Sequence, residues 1–148
     1  MIKSIKKNVL KVADSQVASR WGNIMDFQNF DIITPNEREA RFSLGDQDSV
    51  IRPLAKKLFD KSNCKNLLLK CGERGIIVYR HLAKDLDLRS FFALDSFAEN
   101  VKDPVGAGDA LLAYSTLAFL QTKNIAIAAI IGLIATSLEC EFDGNIPI

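Results

Sequence analysis

The sequence predicts an α/β domain, and three observations predict it. Short apolar runs of strand length, such as DIIT at residues 31–34 and NLLLK at residues 66–70, alternate with segments of helical period. Two strongly apolar helices, residues 109–121 and 125–139, close the chain. Ahead of them stands DPVGAGD, residues 103–109, a glycine-rich turn that runs into an acidic residue at the start of a helix.

Taken in order, residues 8–13 (NVLKVA) read as a strand, and Asp14-Ser15-Gln16 follow as a polar loop. An acidic residue just past a strand's carboxyl end suits an α/β ligand crevice, and it equally suits a turn or a helix cap. Residues 17–30 have weak periodicity and predict a short helix with an irregular crossing; Arg20 within them is within reach of an anion or is a surface residue. Pro35 ends the strand at 31–34, because it lacks a backbone donor. A helix then opens with Asn36 near its N-cap, and Leu44-Gly45-Asp46 close it. Asn36 and Glu39 have the spacing of a capping box. They also place an amide and a carboxylate on one side of the first turn, where they could hold water on Mg²⁺.

Residues 48–59 predict a second helix from the stripe Ile51, Leu54, Ala55, Leu58 and Phe59. The strand at 66–70 leads through the turn Gly72-Glu73-Arg74-Gly75 into a returning strand at 76–79, a hairpin. Turn geometry accounts for both glycines, and so does a nucleotide phosphate passing close by. His81 is expected at the surface, and residues 88–94 (LRSFFAL) predict a strand leading towards Asp103. Both terminal helices are apolar nearly all round, so both are expected to be covered by other elements. Asp143-Gly144-Asn145 reads as a turn.

Chemistry concentrates in DPVGAGD. Gly106 and Gly108 lack a Cβ, so the backbone there can take left-handed angles and approach a ligand closely. Ala107 adds little bulk. The amides of residues 106–109 form an unpaired first helical turn at the positive end of the helix dipole, which makes an anion site. Asp109 within such a site repels phosphate unless it serves the transferred group, as a base taking a proton from an attacking hydroxyl. The alternative is that Asp109 is simply the helix N-cap.

Bulk properties narrow the class. The 148 residues fit one domain with a sizeable core; 48% are apolar and 25% charged, an ordinary globular composition. Nineteen basic against 18 acidic residues give a net charge of +1, so no footprint for nucleic acid or an anionic membrane is present, and Lys3, Lys6 and Lys7 read as a solvated face. Cys64, Cys71 and Cys140 lack zinc spacing and read as reduced thiols; with no signal peptide, a cytoplasmic location is expected. Gln121-Thr122-Lys123-Asn124 interrupt the run from Leu111 to Leu138, leaving each half short of the ~20 apolar residues a membrane span needs.

Three stretches, ITPNEREA at 33–40, KCGERG at 70–75 and DPVGAGDA at 103–110, stand in the order of the ribokinase-like (PfkB) carbohydrate kinase family, which the chain resembles from about Asn8 onwards. The DSQ after the first strand, NEREAR and the closing GNIP most resemble the branch that phosphorylates heptose 7-phosphate on the way to ADP-heptose. The resemblance implies a doubly wound sheet and transfer of the γ-phosphate of ATP to a sugar or sugar-phosphate hydroxyl. Asp109 is similar to the catalytic base, and Gly106, Ala107 and Gly108 to the anion hole. Asn36 and Glu39 match the Asn-x-x-Glu motif that arranges Mg²⁺; Gly72 and Gly75 match the turn beside the nucleotide; Asp103 resembles part of a monovalent-cation site, which implies K⁺. Lys70 departs from the family's Thr or Ser and supplies charge in place of a hydroxyl.

Family members are about twice as long. The resemblance therefore implies that residues 1–148 are the carboxyl-terminal nucleotide-binding portion of the domain, truncated at both ends, without the lid and the amino-terminal strands. An unpaired sheet edge then invites a homo-oligomer or pairing with a missing amino-terminal half. The readings carried forward are a sugar kinase half, a non-catalytic nucleotide-binding or assembly module derived from one, and an inert remnant.

Overall fold

The computed structural model describes residues 9–15, 17–18, 21–81 and 90–142. The expectations for Lys3, Lys6, Lys7, Gln16, Arg20 and the turn at 143–145 lie outside the described residues.

Five strands form one mixed sheet. In chain order they are β1 (Val12–Ala13), β4 (Ile32–Ile33), β5 (Asn66–Lys70), β6 (Ile76–Arg80) and β7 (Phe91–Leu94), and they lie side by side in that order. β1, β4 and β5 run parallel, whereas β6 and β7 run antiparallel to their neighbours. Between β1 and β4, β2 (Val17–Ala18) and β3 (Trp21–Gly22) make a separate two-stranded antiparallel pair.

Among the described residues, four helices cover the two faces: α1 (Glu37–Leu44), α2 (Ile51–Ser62), α3 (Ala107–Thr122) and α4 (Ile125–Glu141). Alternation along the strands sorts the core. Ala13, Ile33, Leu67, Leu69 and Ile77 face the α1–α2 side, where Leu54, Leu58 and Phe59 meet them. Ile32, Leu68, Ile76 and Val78 face the α3–α4 side, against Leu111, Ala128 and Leu133. Burial on both faces explains why β5 is a continuous apolar run and not an alternating one. Each fully buried Leu of that run contributes roughly 1.5–3 kcal/mol relative to exposure. The doubly wound α/β arrangement agrees with expectation.

Several local expectations are corrected. The described residues of 17–30 hold no α-helix: β2, β3 and a 3₁₀ turn at Ile24–Asp26 stand there. Val and Trp favour extended backbone, and Phe27 packs edge-on against Phe30, 5.4 Å between centroids, which pins the segment to the core. The second helix begins at Ile51, not Asp48, which leaves Pro53 in the first turn, where its missing N–H costs nothing. β1 spans only Val12–Ala13 of the strand expected over residues 8–13. The third helix starts two residues before Asp109, at Ala107.

The last correction concerns coverage. α3 and α4 bury their inner faces against the sheet and one another, yet Leu117, Ile127, Ile130, Ile131, Ile134 and Leu138 are exposed. The outer side of this helix pair is therefore uncovered among the described residues. No helix among them is long and apolar enough to cross a membrane.

Candidate active site

The carboxyl ends of the parallel strands all open at one edge of the sheet, the edge where open α/β sheets bind ligands. Asp14 and Ser15 follow β1, Asn36 follows β4, and Lys70 ends β5. The Lys70 amide donates to the Pro35 carbonyl (2.9 Å), so the β4 and β5 exits are stitched together.

Asn36 caps α1 reciprocally with Glu39. The Glu39 amide donates to Asn36 Oδ1 (2.8 Å), and the Asn36 amide donates to Glu39 Oε2 (2.7 Å). The capping box is therefore formed, and it is worth about 1 kcal/mol. It also holds a buried carboxylate at the sheet edge, and burial pushes the Glu39 carboxyl above the usual glutamate range against the pull of the Asn36 amide and Lys70. Ser15 lies beside it, and its buried hydroxyl adds a weaker downward pull on the Glu39 carboxyl.

Lys70 Nζ pairs with Asp14 Oδ2 at 2.5 Å, with only 19% and 21% of the two side chains exposed. The pair sits on α3's first turn: a Cβ on Gly108 would lie 3.0 Å from Lys70 Nζ and 3.4 Å from Asp14 Oδ2. A side chain at Gly108 would therefore have to push the Lys70 ammonium aside by a few tenths of an ångström. Gly108 has ordinary helical angles, and of the two glycines expected to be left-handed only Gly106, the N-cap, has positive φ (89°). The Ala107 amide donates to Pro104 O (3.3 Å), whereas those of Gly108 and Asp109 belong to the unpaired first turn. The Thr136 hydroxyl of α4 reaches Ala107 O (3.2 Å) and Gly132 O (2.8 Å), tying that turn to the neighbouring helix.

A cavity of about 290 Å³ opens beside this turn. Lys70, Gly72, Gly75 and Gly108 line it together with the apolar Ile76 and Leu111. Ala107 lines it as well. The turn bearing Gly72 and Gly75 is held to α1 by an Arg74–Glu37 ion pair. Arg41, 2.7 Å from Glu37, is the main reason that carboxyl lies below the usual glutamate range.

Asp109 is exposed at the third residue of α3 and does not line the cavity. Its alternative role as N-cap is excluded, since Gly106 occupies the cap and no side chain caps the helix. Gly106, Asn36, Glu39 and Asp103 also stand outside the cavity lining. Asp103 Oδ1 accepts the Val105 amide (2.9 Å), while its own amide, like that of Lys102, donates to Cys140 O. All three cysteines are free, and burial pushes the Cys64 thiol up to about 11.

Among the described residues, no cluster of three or more His, Cys, Asp or Glu side chains could cage a metal. Asn36 Oδ1 and Glu39 Oε2 are already committed to amides, so this donor set fits an ion held through water and substrate oxygens, the usual habit of Mg²⁺. The buried Ser15 hydroxyl beside Glu39 offers a further polar group for such water. Ser15 and Thr136 were not legible as site residues. Thr136 is an ordinary mid-helix threonine by sequence, and Asp14 meets Lys70 across 56 residues.

The chain is similar to the cytidine kinase of Thermococcus kodakarensis, 36% identical over 80 residues that cover 54% of this chain and 26% of that protein. In structure it is similar to the ribokinase of Arabidopsis thaliana complexed with ribose and ATP, with a TM-score of 0.72, 21% identity, and coverage of 90% of this chain and 42% of that one. It is also similar to phosphofructokinase-2 of Escherichia coli in complex with potassium: TM-score 0.68, 17% identity, and coverage of 82% and 38%. At such identities the structural likeness speaks for the fold alone, and the matched region covers less than half of each relative. A family model for pfkB family carbohydrate kinases matches residues 1–145, and the chain belongs to that family.

Proposed function

We propose that residues 1–148 form the nucleotide-binding and catalytic portion of an ATP-dependent carbohydrate kinase that transfers a phosphoryl group to a hydroxyl of a sugar or sugar phosphate. The observation that carries this reading is the cavity lined jointly by Lys70, the Gly72–Gly75 turn, the first turn of α3 and apolar side chains such as Ile76 and Leu111. An apolar pocket suits a base, and a cation with free amides suits its phosphates.

In this reading the acceptor hydroxyl attacks the γ-phosphorus, the bond to the bridging oxygen breaks, ADP leaves, and the hydroxyl proton passes to the Asp109 carboxylate. The amides of Gly108 and Asp109 and the dipole of α3 receive the charge on the transferred group. Mg²⁺ held through water near Asn36 and Glu39 would neutralise phosphate charge, and K⁺ near Asp103 would add to the field at the same turn. Asp109 is exposed next to Gly108, which lines the cavity, and an acceptor brought by a sugar-binding half would approach there.

The wording DSQ, NEREAR and GNIP favours heptose 7-phosphate as that acceptor, whereas the cytidine kinase match favours a nucleoside. The second reading, a non-catalytic nucleotide-binding or assembly module, is favoured by the open space beside Asp109 and by the uncovered outer side of α3 and α4. Calorimetry of ATP and ADP binding to this chain tests the nucleotide site. Acceptor-dependent ADP release, measured with and without an added amino-terminal half across a panel of sugars, sugar phosphates and nucleosides, tests the kinase. Nucleotide binding without turnover in either format would favour the module.

A further inference from the structure

We propose that Asp14 is an internal anion that competes with the nucleotide's phosphate for the Lys70 ammonium, and so sets how tightly the site holds a phosphate. This rests on the nucleotide reading above. The geometry is specific: ammonium and carboxylate meet at 2.5 Å directly on the Gly108 turn, at the positive end of α3 and against the cavity that Lys70 lines. Asp14 itself does not line the cavity, but its carboxylate satisfies the same cation and helix terminus that an incoming phosphate oxygen would use.

Two further features fit a competitor better than a fixed strut. Lys70 is the last residue of β5, and its flexible four-carbon stem lets Nζ change partners while the strand stays hydrogen-bonded. Glu39 adds a second, buried carboxylate beside the pair, so two acidic groups face one ammonium. Removing the Asp14 charge would leave Lys70 free to pair with phosphate at no exchange cost. Asp14 is in this sense a positioning residue that acts through Lys70.

Asp14→Asn is the informative variant, since the amide oxygen can still accept the Ser15 N–H that Asp14 Oδ1 now accepts at 2.9 Å. Binding of adenosine, ADP and pyrophosphate is measured on the full chain in metal-free buffer for wild type, Asp14→Asn, Lys70→Met and the double variant, with Asp14→Ser as a second replacement should the first fail to fold. We expect ADP and pyrophosphate to bind about tenfold more tightly to Asp14→Asn, the scale of one charge-assisted hydrogen bond released from competition. Both should bind more weakly to Lys70→Met, and the double variant should match Lys70→Met. Adenosine affinity should be the same throughout.

Unchanged or weaker ADP and pyrophosphate binding in Asp14→Asn overturns the proposal, as does a gain that persists without Lys70, which would mean simple repulsion. Loss of adenosine binding in the wild type would instead sink the nucleotide reading and the proposal with it. Normal adenosine binding with no Asp14 effect sinks the proposal alone.

Discussion

Gly75 lies so close to Leu94 that a Cβ added to it would stand 2.0 Å from the Leu94 carbonyl oxygen. The contact joins the turn before β6 to the end of β7, and φ of +79° makes a side chain there doubly unfavourable. Gly72, in the same turn, also has positive φ (+62°), but nothing lies within 4 Å of the point its Cβ would occupy. Gly75→Ala should therefore cost roughly 3 kcal/mol or more, and Gly72→Ala only about 1 kcal/mol, the cost of a left-handed L-residue alone. Urea unfolding of both variants checks the ranking; equal losses would mean that Leu94 moves away freely.

Asp109 is exposed, stands at the third position of α3 and caps nothing. Its carboxylate therefore has little structural work beyond a favourable charge near the helix's positive end, worth about 0.5 kcal/mol. In a chain completed with a sugar-binding half, Asp109→Asn should lower turnover at least ~10²-fold, as expected for loss of a positioned base. ATP affinity should hold. Turnover and nucleotide binding measured side by side decide it, and an active Asn variant removes the base assignment.

Much of the sheet was legible because it rests on local signals. NLLLK is apolar at every position that two covered faces require, and Asn36 with Glu39 announced a capping box that is fully formed. The segment at 17–30 was illegible since its extended pairs are only two residues long, too short for any period to show. At the site, the glycines and Lys70 could be found from motif spacing. The Asp14–Lys70 pair could not, because the sheet alone brings those residues together. Nor could the sequence separate the two glycines' roles. Gly106 answers a backbone angle, whereas Gly108 is helical and lies close to the Lys70 ammonium, and both look the same in a string of letters.

Glu39 offers a test that separates its two roles. Gln can keep the oxygen that accepts the Asn36 amide, so the cap should survive Glu39→Gln, and relief from burying a charge should leave the melting temperature at neutral pH equal or higher. If the carboxylate also arranges Mg²⁺, the same variant should need several-fold more Mg²⁺ for half-maximal nucleotide binding, a fraction of one charge-assisted contact. Unchanged metal dependence would return Glu39 to a purely structural role.

Asp31 links the starts of β1 and β4. It accepts the Lys11 amide at 2.8 Å and pairs with Lys65 at 2.7 Å. Burial opposes its ionisation, but the Lys11 amide and the Lys65 ammonium outweigh that and hold its carboxyl below the ordinary value of 3.8. A depressed carboxyl stabilises the fold above 3.8 and loses that contribution as pH falls through the lower folded value. Asp31→Asn should therefore cost about 1–2 kcal/mol at pH 7, towards the low end for hydrogen bonds to charged groups since Lys65 is exposed. The gap to wild type should narrow steadily below pH 3.8. Denaturant melts across that range check it, and a gap independent of pH would assign the loss to packing.

Leu133 and Ile134 are neighbours in α4 with opposite fates: one is 3% exposed against the sheet, the other 46% exposed on the outer side. Leu133→Ala removes core contacts with Leu111 and its neighbours and should cost 2–5 kcal/mol, about the range for a buried leucine. Ile134→Lys breaks the apolar stripe of Ile127, Ile130, Ile131 and Leu138 without touching the core, so it should change stability by about 0.5 kcal/mol or less in the isolated chain. Chemical unfolding monitored at low protein concentration separates the two. A large loss at Ile134 would mean that its face is covered in solution, because burying a lysine there would then cost as much as emptying the core.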